Sequence, residues 1–327
     1  MRKVAILTSG GDSPGMNSAI YSFSSLAQKK GYEVVFIEDG YQGLIEKRYR
    51  KVNASCLKKA VYAPGTHIGS SRSLDFKNDQ ELREEGVKAL KDQGVEALVV
   101  LGGNGSYQGG ELISKLGLPV ILLPATIDND VNSTVYTIGF FSALEEIGQV
   151  IQKIWYTANS HSQLTFVEVM GRDCSDLGVF ASISSPFVEM VITQEKVPTV
   201  QELESKIREL KTQGRKGMVI VVVEKVLGSQ TLPPLPELTK TLESNLGITV
   251  RGCVLGHTQR GAIPTTFERF VAEGFGRTAF ECFESRELDL AIGFDGQKFY
   301  KTPLSSLSHS SKGSKLDLIE YKNSLAF

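Results

Sequence analysis

The chain has 327 residues, of which 41% are hydrophobic and 22% are charged, so it is long enough to bury the cores of two lobes. Its 36 Lys and Arg residues nearly balance 37 Asp and Glu residues, which leaves no overall charge to attract nucleic acid or an anionic membrane. The four cysteines form no CxxC pair, and the apolar run at the N-terminus is too short for a secretory signal. No run approaches the roughly 20 apolar residues that span a bilayer. These features predict a cytoplasmic protein.

Short β-branched runs alternate with longer amphipathic stretches, which is typical of parallel strands joined by crossover helices. We therefore predict an α/β fold with helices on both faces of the sheets. Surface helices are predicted over residues 78–94 and 200–213, where acidic residues lie near the start and basic residues near the end, and a loop is predicted over 227–236. The predicted strands are residues 3–7, 33–37, 97–101, 120–123, 164–170, 190–193, 217–223 and 249–254.

Three segments share one arrangement, in which a strand ends, small residues follow and a helix begins. They are ILTSGGDSPGMN at residues 6–17, VVLGGNGSYQGG at 99–110 and LLPATIDND at 122–130. At the carboxyl ends of parallel strands, glycines let backbone N–H groups approach a ligand, and helix N-termini favour anions. A single such turn is as often a packing device, but the three together predict a polyanionic ligand.

Two common phosphate-binding motifs are excluded. The dinucleotide fingerprint fails because Gln108 stands at its third glycine position, and no GxxxxGK[ST] sequence occurs. The third segment adds Asp128 and Asp130 directly after a strand, and we interpret this pair as a catalytic base with a second carboxylate beside it, although paired Asp residues also occur in ordinary turns.

Eight segments together resemble the phosphofructokinase family, in the family's order and over nearly the whole chain. They are TSGGDSPGMN, EDGYQGL, GTHIGSSR, LGGNGSYQG, PATIDND, YTIGFFSAL, VEVMGR and VLGHTQRG. The resemblance implies transfer of the terminal phosphoryl of a nucleotide or pyrophosphate, with Mg²⁺, to the 1-hydroxyl of fructose 6-phosphate, giving fructose 1,6-bisphosphate.

The resemblance also implies the architecture. It predicts a two-lobed sandwich of parallel sheets with helices on both faces, and a homotetramer. Residues 1–140 and 259–305 would form the larger, nucleotide-binding lobe, and residues 141–258 and 306–327 the smaller, sugar-phosphate lobe.

Individual roles are implied in the same way. Asp128 matches the base and Arg172 the cation at the transferring phosphoryl, while Thr126 and the backbone of Gly11 match groups at the same oxygens, and Asp130 lies near the metal. The nucleotide-binding positions are Gly11, Tyr41, Arg72, Ser73, Gly103, Asn104, Gly105, Ser106 and Gly109. The positions for fructose 6-phosphate are Thr126, Asp128, Gln163, Met170, Gly171, Arg172, Glu224, Arg251, His257 and Arg260, with Arg251 expected from a neighbouring subunit.

The phosphoryl donor is predicted to be ATP. Relatives that use pyrophosphate usually carry Asp and Lys where this chain has Gly105 and Ala125, and small residues there leave room for a nucleotide. Ser73 stands where many relatives have an aromatic residue near the adenine, so the choice of base stays open.

Several positions depart from the family pattern. Asn104 replaces an Asp that helps to hold Mg²⁺, and an amide brings no charge to a cation that prefers carboxylates, so weaker catalysis is expected. Gln163 replaces an Arg that reaches the 6-phosphate, which predicts weaker sugar phosphate binding. Basic residues of the family's effector site are replaced as well, so little response to ADP or phosphoenolpyruvate is expected; the substituted positions are Tyr21, Ser25, Trp155 and Gln213.

Three hypotheses remain at the level of the sequence. The first is an ATP-dependent 6-phosphofructokinase of weak or unregulated activity, favoured by the retained Asp128 and Arg172. The second is a catalytically impaired paralogue that acts as a regulatory or binding partner of an intact phosphofructokinase, suggested by Asn104 and Gln163. The third is a kinase of this fold for another sugar phosphate.

Overall fold

The computed structural model describes residues 1–308, 310, 312–313 and 315–325. These residues form two compact units, the first from Met1–Ser142 with Arg260–Ser311 and the second from Ala143–Gln259 with Lys312–Phe327. No helix within the described ranges is long and apolar enough to cross a membrane.

The described strands, in chain order, are β1 (Lys3–Ser9), β2 (Glu33–Ile37), β3 (Tyr49–Arg50), β4 (Val95–Gly102), β5 (Val120–Pro124), β6 (Leu164–Val169), β7 (Val188–Ile192), β8 (Met218–Val223), β9 (Val250–Val254), β10 (Leu290–Phe294) and β11 (Phe299–Pro303). The described helices are α1 (Met16–Lys29), α2 (Gly40–Ile45), α3 (Leu74–Asn78), α4 (Gln80–Asp92), α5 (Asn104–Lys115), α6 (Phe140–His161), α7 (Asp176–Ser184), α8 (Val200–Thr212), α9 (Leu235–Leu246), α10 (Thr266–Ser285) and α11 (Leu316–Ser324).

The first unit is built on a seven-stranded sheet in the order β11, β10, β5, β4, β1, β2, β3. The central strands pair in parallel, and β4 and β5 are almost wholly buried because helices cover both faces. On one face, α1 and α10 pack Phe23, Phe275 and Phe283 against the sheet. On the other face, Leu90 and Ile113 belong to the core. This agrees with the predicted α/β class.

The sheet register places the three glycine-rich turns at one edge. Ser9 at the end of β1 lies opposite Gly102 of β4, and Gly102 lies opposite Pro124 of β5. Because the three strands run in the same direction and end level with one another, the turns that follow them are neighbours.

The second unit contains a four-stranded parallel sheet in the order β7, β8, β6, β9. Helices α8 and α9 bury Leu203, Ile207 and Leu238 against one face, beside Phe166 of β6. Helix α11 packs on α7 and β7, and the Asn323 side chain bonds both the N–H and the carbonyl of Val191 on the edge strand β7. This side chain therefore satisfies part of the sheet edge in place of another strand.

The structure departs from the predicted elements at a few places. Strands β3, β10 and β11 were not predicted, and β3 and β11 pair antiparallel at the two edges of an otherwise parallel sheet. The helix predicted over residues 78–94 is interrupted at Asp79, which has an extended backbone. Its side chain caps α4 by accepting from the Leu82 N–H at 3.1 Å.

Candidate active site

The first turn of the sheet edge follows β1 and leads into α1. Gly10 (φ 86°) and Gly15 (φ 99°) have left-handed backbones, which glycine adopts without strain. The Ser70 hydroxyl donates to the Gly10 carbonyl at 2.8 Å, so this turn is bound to the segment that contains Arg72 and Ser73.

The third turn carries Thr126, Asp128 and Asp130, all nearly buried at 5–7% exposure. The Thr126 hydroxyl lies 3.4 Å from Asp128 Oδ2 and 3.3 Å from the Asp128 N–H. Asn129 between the two carboxylates has a left-handed backbone, and its side chain accepts from the Thr137 N–H and donates to the Val135 carbonyl. The side chains of Thr126 and Asn129 thus bind the turn to itself and to the segment that follows it.

Arg260 joins the first and third turns. Its Nη1 donates to the Asp12 carbonyl at 3.0 Å, and its Nη2 lies 3.8 Å from Asp128 Oδ2. A Cβ at Gly11 would lie 2.6 Å from Nη1, so the guanidinium packs directly on the backbone of Gly11. The structure therefore brings together four predicted site residues: Gly11, Thr126, Asp128 and Arg260.

The second turn runs from β4 into α5. Gly103 precedes the helix in an extended conformation, and Ser106 donates its hydroxyl to the Ser9 carbonyl at 3.0 Å, which links this turn to the first. The space around a Cβ at Gly105 is open, with no atom within 4 Å. Asn104, the first residue of α5, donates its side-chain N–H to the Asp130 carbonyl at 3.1 Å.

Tyr41 packs against the start of α5 and is hydrogen-bonded to the second turn. Its ring stacks on Phe76 with centroids 4.1 Å apart, and its hydroxyl donates to the Ser106 carbonyl at 2.6 Å. A Cβ at Gly109 would lie 2.5 Å from the Tyr41 ring, so only glycine fits there. Burial raises the pKa of Tyr41 well above its usual value, which keeps the hydroxyl a donor.

Arg72 and Ser73 lie just before α3. Ser73 caps this helix by accepting from the Phe76 N–H at 3.0 Å, and it donates to Gln42 Oε1 at 2.6 Å. Arg72 is exposed. Its guanidinium is therefore accessible to a ligand.

In the second unit, Glu224 holds the turn after β6. Its Oε1 accepts from the Gly171 N–H at 3.2 Å and from the Arg172 N–H at 2.5 Å. Arg172 has a left-handed backbone (φ 53°), and its carbonyl accepts from the Gln194 side chain at 2.7 Å. Because the backbone is fixed on both sides while 58% of the side chain is exposed, the guanidinium projects from a rigid turn.

Gln259 is a residue that the sequence analysis missed. It is fully buried, accepts from the Met170 N–H at 3.1 Å and donates to the Gly256 carbonyl at 2.9 Å. It therefore joins the turn of Met170 and Gly171 to the GHTQ segment that contains His257. In the sequence, only its position inside the VLGHTQRG segment indicated that Gln259 lies near the candidate site.

The remaining predicted site residues lie elsewhere in the second unit. Gln163 precedes β6, and its backbone pairs with Ala158 and Met218. Arg251 lies on the edge strand β9 and donates to Glu243 Oε1 at 3.0 Å, while His257 is exposed in the short 3₁₀ helix Gly256–Gln259.

A cation site can be tested against the residues present. Among the described residues, no group of three or more His, Cys, Asp and Glu side chains could hold a metal ion unaided. Mg²⁺ in kinases is commonly bound by one or two carboxylates together with substrate phosphates. The Asp130 carboxylate, nearly buried in the third turn, is a ligand of that type.

Comparisons with known proteins show the family to which the chain belongs. The model of the phosphofructokinase family matches residues 3–283. The ATP-dependent 6-phosphofructokinase of Photobacterium profundum is 37% identical over 99% of both chains, and that of Vibrio cholerae is 40% identical over 85% of both.

A solved structure is also similar. The phosphofructokinase of Saccharomyces cerevisiae superposes with a TM-score of 0.83 at 29% identity, covering 100% of this chain. The chain spans 46% of that longer yeast chain. The match of the family model over most of the sequence, together with relatives that align along almost its full length, shows that the chain belongs to the phosphofructokinase family.

Proposed function

We propose that the chain is an ATP-dependent 6-phosphofructokinase, which transfers the terminal phosphoryl of ATP to the 1-hydroxyl of fructose 6-phosphate. The observation that carries this proposal is the nearly buried Asp128, held by Thr126 and placed beside Arg260 at the edge of the parallel sheet. Relatives aligned over 99% of the chain are named for this reaction.

Asp128 is proposed to take the proton from the attacking sugar hydroxyl. A positioned base of this kind contributes about 10²- to 10⁴-fold in rate. Arg260, 3.8 Å away and itself largely buried, compensates the charge of the carboxylate and keeps it facing the turn of Gly11.

Arg172 is proposed to stabilise negative charge on the transferring phosphoryl. Positive groups held in place before the reaction are the main source of rate enhancement in phosphoryl transfer. Glu224 supports this role because it accepts from the Arg172 N–H and so fixes the strained backbone. The guanidinium itself lies 3.7 Å from Asp173, whose pKa is lowered by its hydrogen bond from Lys225.

Mg²⁺ is proposed as the resident cation, held by the phosphates of the nucleotide and by the carboxylate of Asp130, while Asp128 serves as the base. When bound, it would neutralise charge on the phosphates of the nucleotide. Asn104 lies beside Asp130, but its amide N–H is already donated to the Asp130 carbonyl, so it contributes hydrogen bonding rather than charge.

The choice of ATP over pyrophosphate is supported by the open space at Gly105, where a Cβ would have no atom within 4 Å. A nucleotide needs that room and pyrophosphate does not. We place the nucleotide in the first unit and the sugar phosphate in the second, with Met170, Gly171, Arg172 and Glu224 as the group that binds the sugar.

We further infer a cytoplasmic homotetramer. The support for this is family membership and the exposure of Arg251 on an edge strand, from where it could reach a neighbouring subunit. Light scattering of the purified protein tests the assembly: a monomer at assay concentration would contradict it. The names of the relatives give no support to the alternative of an impaired paralogue.

The experiment is a coupled assay of the purified chain with Mg²⁺, fructose 6-phosphate and either ATP or pyrophosphate. Turnover with ATP is expected, and Asp128→Asn should lower kcat by about 10²- to 10⁴-fold. Asp92→Asn, an exposed carboxylate of α4, is the matched control and should be neutral. A wild type inactive with fructose 6-phosphate would refute the proposal, and turnover with a different sugar phosphate would support the third hypothesis instead.

A further inference from the structure

Glu268, in the first turn of α10, is a fully buried carboxylate that the proposed reaction does not use. Its Oε1 accepts from the Gly139 N–H at 2.8 Å. Its Oε2 accepts from the Ser142 N–H at 3.1 Å and the Ser142 hydroxyl at 3.3 Å. None of the ion pairs formed by the described residues includes it, so its partners are the donors at the start of α6.

The peptide unit between Ile138 and Gly139 connects Glu268 to the first and third turns at the sheet edge. Its N–H is donated to Glu268, while its carbonyl accepts from the Thr126 N–H at 3.0 Å and from the Ser13 hydroxyl at 3.0 Å. Thr126 belongs to the turn of Asp128, and Ser13 belongs to the turn that follows β1. One peptide unit therefore links the buried carboxylate to the two turns.

The packing around this peptide unit leaves no room for a side chain at Gly139 or Gly15. Gly139 has a left-handed backbone (φ 108°), and a Cβ there would lie 2.5 Å from the Cβ of Ser13. A Cβ at Gly15 would lie 3.1 Å from Cγ of Glu268. Because these groups touch, a displacement of the Glu268 side chain would be passed to the first turn as well as to α6.

The hydrogen-bond donors around Glu268 favour its charged form, although burial opposes it. The N-terminus of a helix carries unpaired N–H groups and a partial positive charge, and α6 is 22 residues long. A hydrogen bond from an N–H to a carboxylate also polarises the peptide group, which makes its carbonyl a better acceptor. The carboxylate thus strengthens the two bonds that the Ile138 carbonyl makes to Thr126 and Ser13.

We propose that Glu268 is a positioning residue for phosphoryl transfer, which orients the peptide unit between Ile138 and Gly139 and thereby fixes the turn of Asp128 against the turn of Gly11. The inference rests on the proposed function for the reaction that is affected. The effect of Glu268 on the two turns can be tested without turnover.

The test compares Glu268→Gln and Glu268→Asp with the control Glu273→Gln, an exposed carboxylate on the same helix. Hydrogen exchange of peptides covering residues 126–142 and 10–16 is measured alongside kcat, at pH 8 and at least 20 °C below the unfolding temperature of each variant. If the Glu268 variants do not fold, Ser13→Ala takes their place, because it removes the hydroxyl that donates to the Ile138 carbonyl.

Glu268→Gln keeps the shape but loses one acceptor oxygen. We expect faster exchange in both peptides and a fall in kcat of about 10-fold, since misplacement of reacting groups by a fraction of an ångström is costly. Glu268→Asp, which is too short to reach both donors, should behave in the same way. Ser13→Ala should show a smaller effect of the same kind.

Unchanged exchange in residues 126–142 would overturn the proposal. Faster exchange with an unchanged kcat would also overturn it, because Glu268 would then stabilise the fold without affecting the reaction. A wild type without turnover on fructose 6-phosphate would contradict the proposed function instead. The affinity for ATP, measured with Mg²⁺, would then replace kcat. Glu268→Gln should weaken this affinity severalfold, and Glu273→Gln should leave it unchanged.

Discussion

Asn104 donates its side-chain N–H to the backbone carbonyl of Asp130 at 3.1 Å. This bond ties the start of α5 to the turn that holds both candidate carboxylates. The sequence suggested only that Asn104 lacks the charge of a metal-binding Asp. The structure adds that its amide supplies a bond which a carboxylate cannot make.

Asn104→Asp is therefore expected to destabilise the protein in the absence of Mg²⁺. The variant loses a hydrogen bond and places a carboxylate against a carbonyl, which should lower the free energy of unfolding by about 1 kcal/mol or somewhat more. Added Mg²⁺ should restore part of this loss, because the cation prefers carboxylate ligands. Urea unfolding with and without Mg²⁺ measures both effects.

Asn104→Ala separates the two contributions. It also loses the bond, but it introduces no charge, so Mg²⁺ should not restore its stability. Equal stability of wild type and Asn104→Asp without Mg²⁺ would show that the bond to Asp130 has no energetic weight.

Gly109→Ala is expected to destabilise the first unit. The new Cβ would lie 2.5 Å from the ring of Tyr41, which cannot retreat because it stacks on Phe76 and is bonded to Ser106. Overpacking of this kind costs about 1 to 3 kcal/mol. Thermal unfolding should show the loss.

Gly148→Ala in α6 is the matched control, since no atom lies within 4 Å of its Cβ. Alanine in an open helical position should stabilise the helix by up to about 1 kcal/mol. If Gly109→Ala leaves the unfolding temperature unchanged or raises it as Gly148→Ala does, the close approach of Tyr41 to α5 is wrong.

The three turns at the sheet edge could be predicted from the sequence because each depends on local features. Apolar β-branched runs mark the strands, and glycines with small polar residues mark their ends. Parallel pairing then brings these strand ends to one edge, where the structure shows Ser9 beside Gly102 and Gly102 beside Pro124. These are properties of short segments, so the fold class and the location of the candidate site followed from them.

Glu268 could not be found in this way, because its partners are distant in sequence. Thr199 and Glu202 form a capping box in which each side chain bonds the other's backbone. Thr265 and Glu268 have the same spacing, and Thr265 caps α10 by accepting from the Glu268 N–H. The Glu268 carboxylate instead accepts hydrogen bonds from residues 126 or more positions away, and only the tertiary structure determines these partners.

Glu224→Ala is expected to weaken the use of fructose 6-phosphate more than that of ATP. It removes the acceptor of the Gly171 and Arg172 N–H groups, and bonds to a charged group are worth roughly 1.5 to 3 kcal/mol each. The KM for the sugar should rise at least about 10-fold, with little change in the KM for ATP. Glu224→Gln retains an acceptor oxygen and should be affected less; equal changes in both KM values would contradict the assignment of the second unit to the sugar.

Gln163→Arg is expected to improve binding of the sugar phosphate. A new charge-assisted bond to the 6-phosphate would be worth roughly 1.5 to 3 kcal/mol, which lowers the KM about 10- to 150-fold. Gln163→Lys tests whether bidentate bonding to the phosphate matters, because Lys adds the charge without the planar guanidinium. An unchanged KM in both variants would remove Gln163 from the substrate site and would favour another sugar phosphate as the acceptor.

The pH dependence of stability should carry a contribution from Glu268. Burial raises the pKa of this carboxyl to about 7, although hydrogen bonds from Gly139 and Ser142 act in the opposite direction. The folded state therefore binds the proton more tightly than the unfolded state, whose Glu has the usual pKa of about 4.3. The stabilisation from this group is complete below that lower pKa and is lost as pH rises through about 7.

Glu268→Gln isolates this contribution, since carboxyls elsewhere with lowered pKa values, such as Asp173 and Asp295, are present in both proteins. The stability advantage of the wild type over the variant should shrink by about 2 to 3 kcal/mol between pH 5 and pH 8. Urea unfolding at several pH values measures the difference. If the two curves run parallel over this range, the carboxylate is as easily ionised in the folded state as in the unfolded chain, and the donors at the start of α6 fully offset its burial.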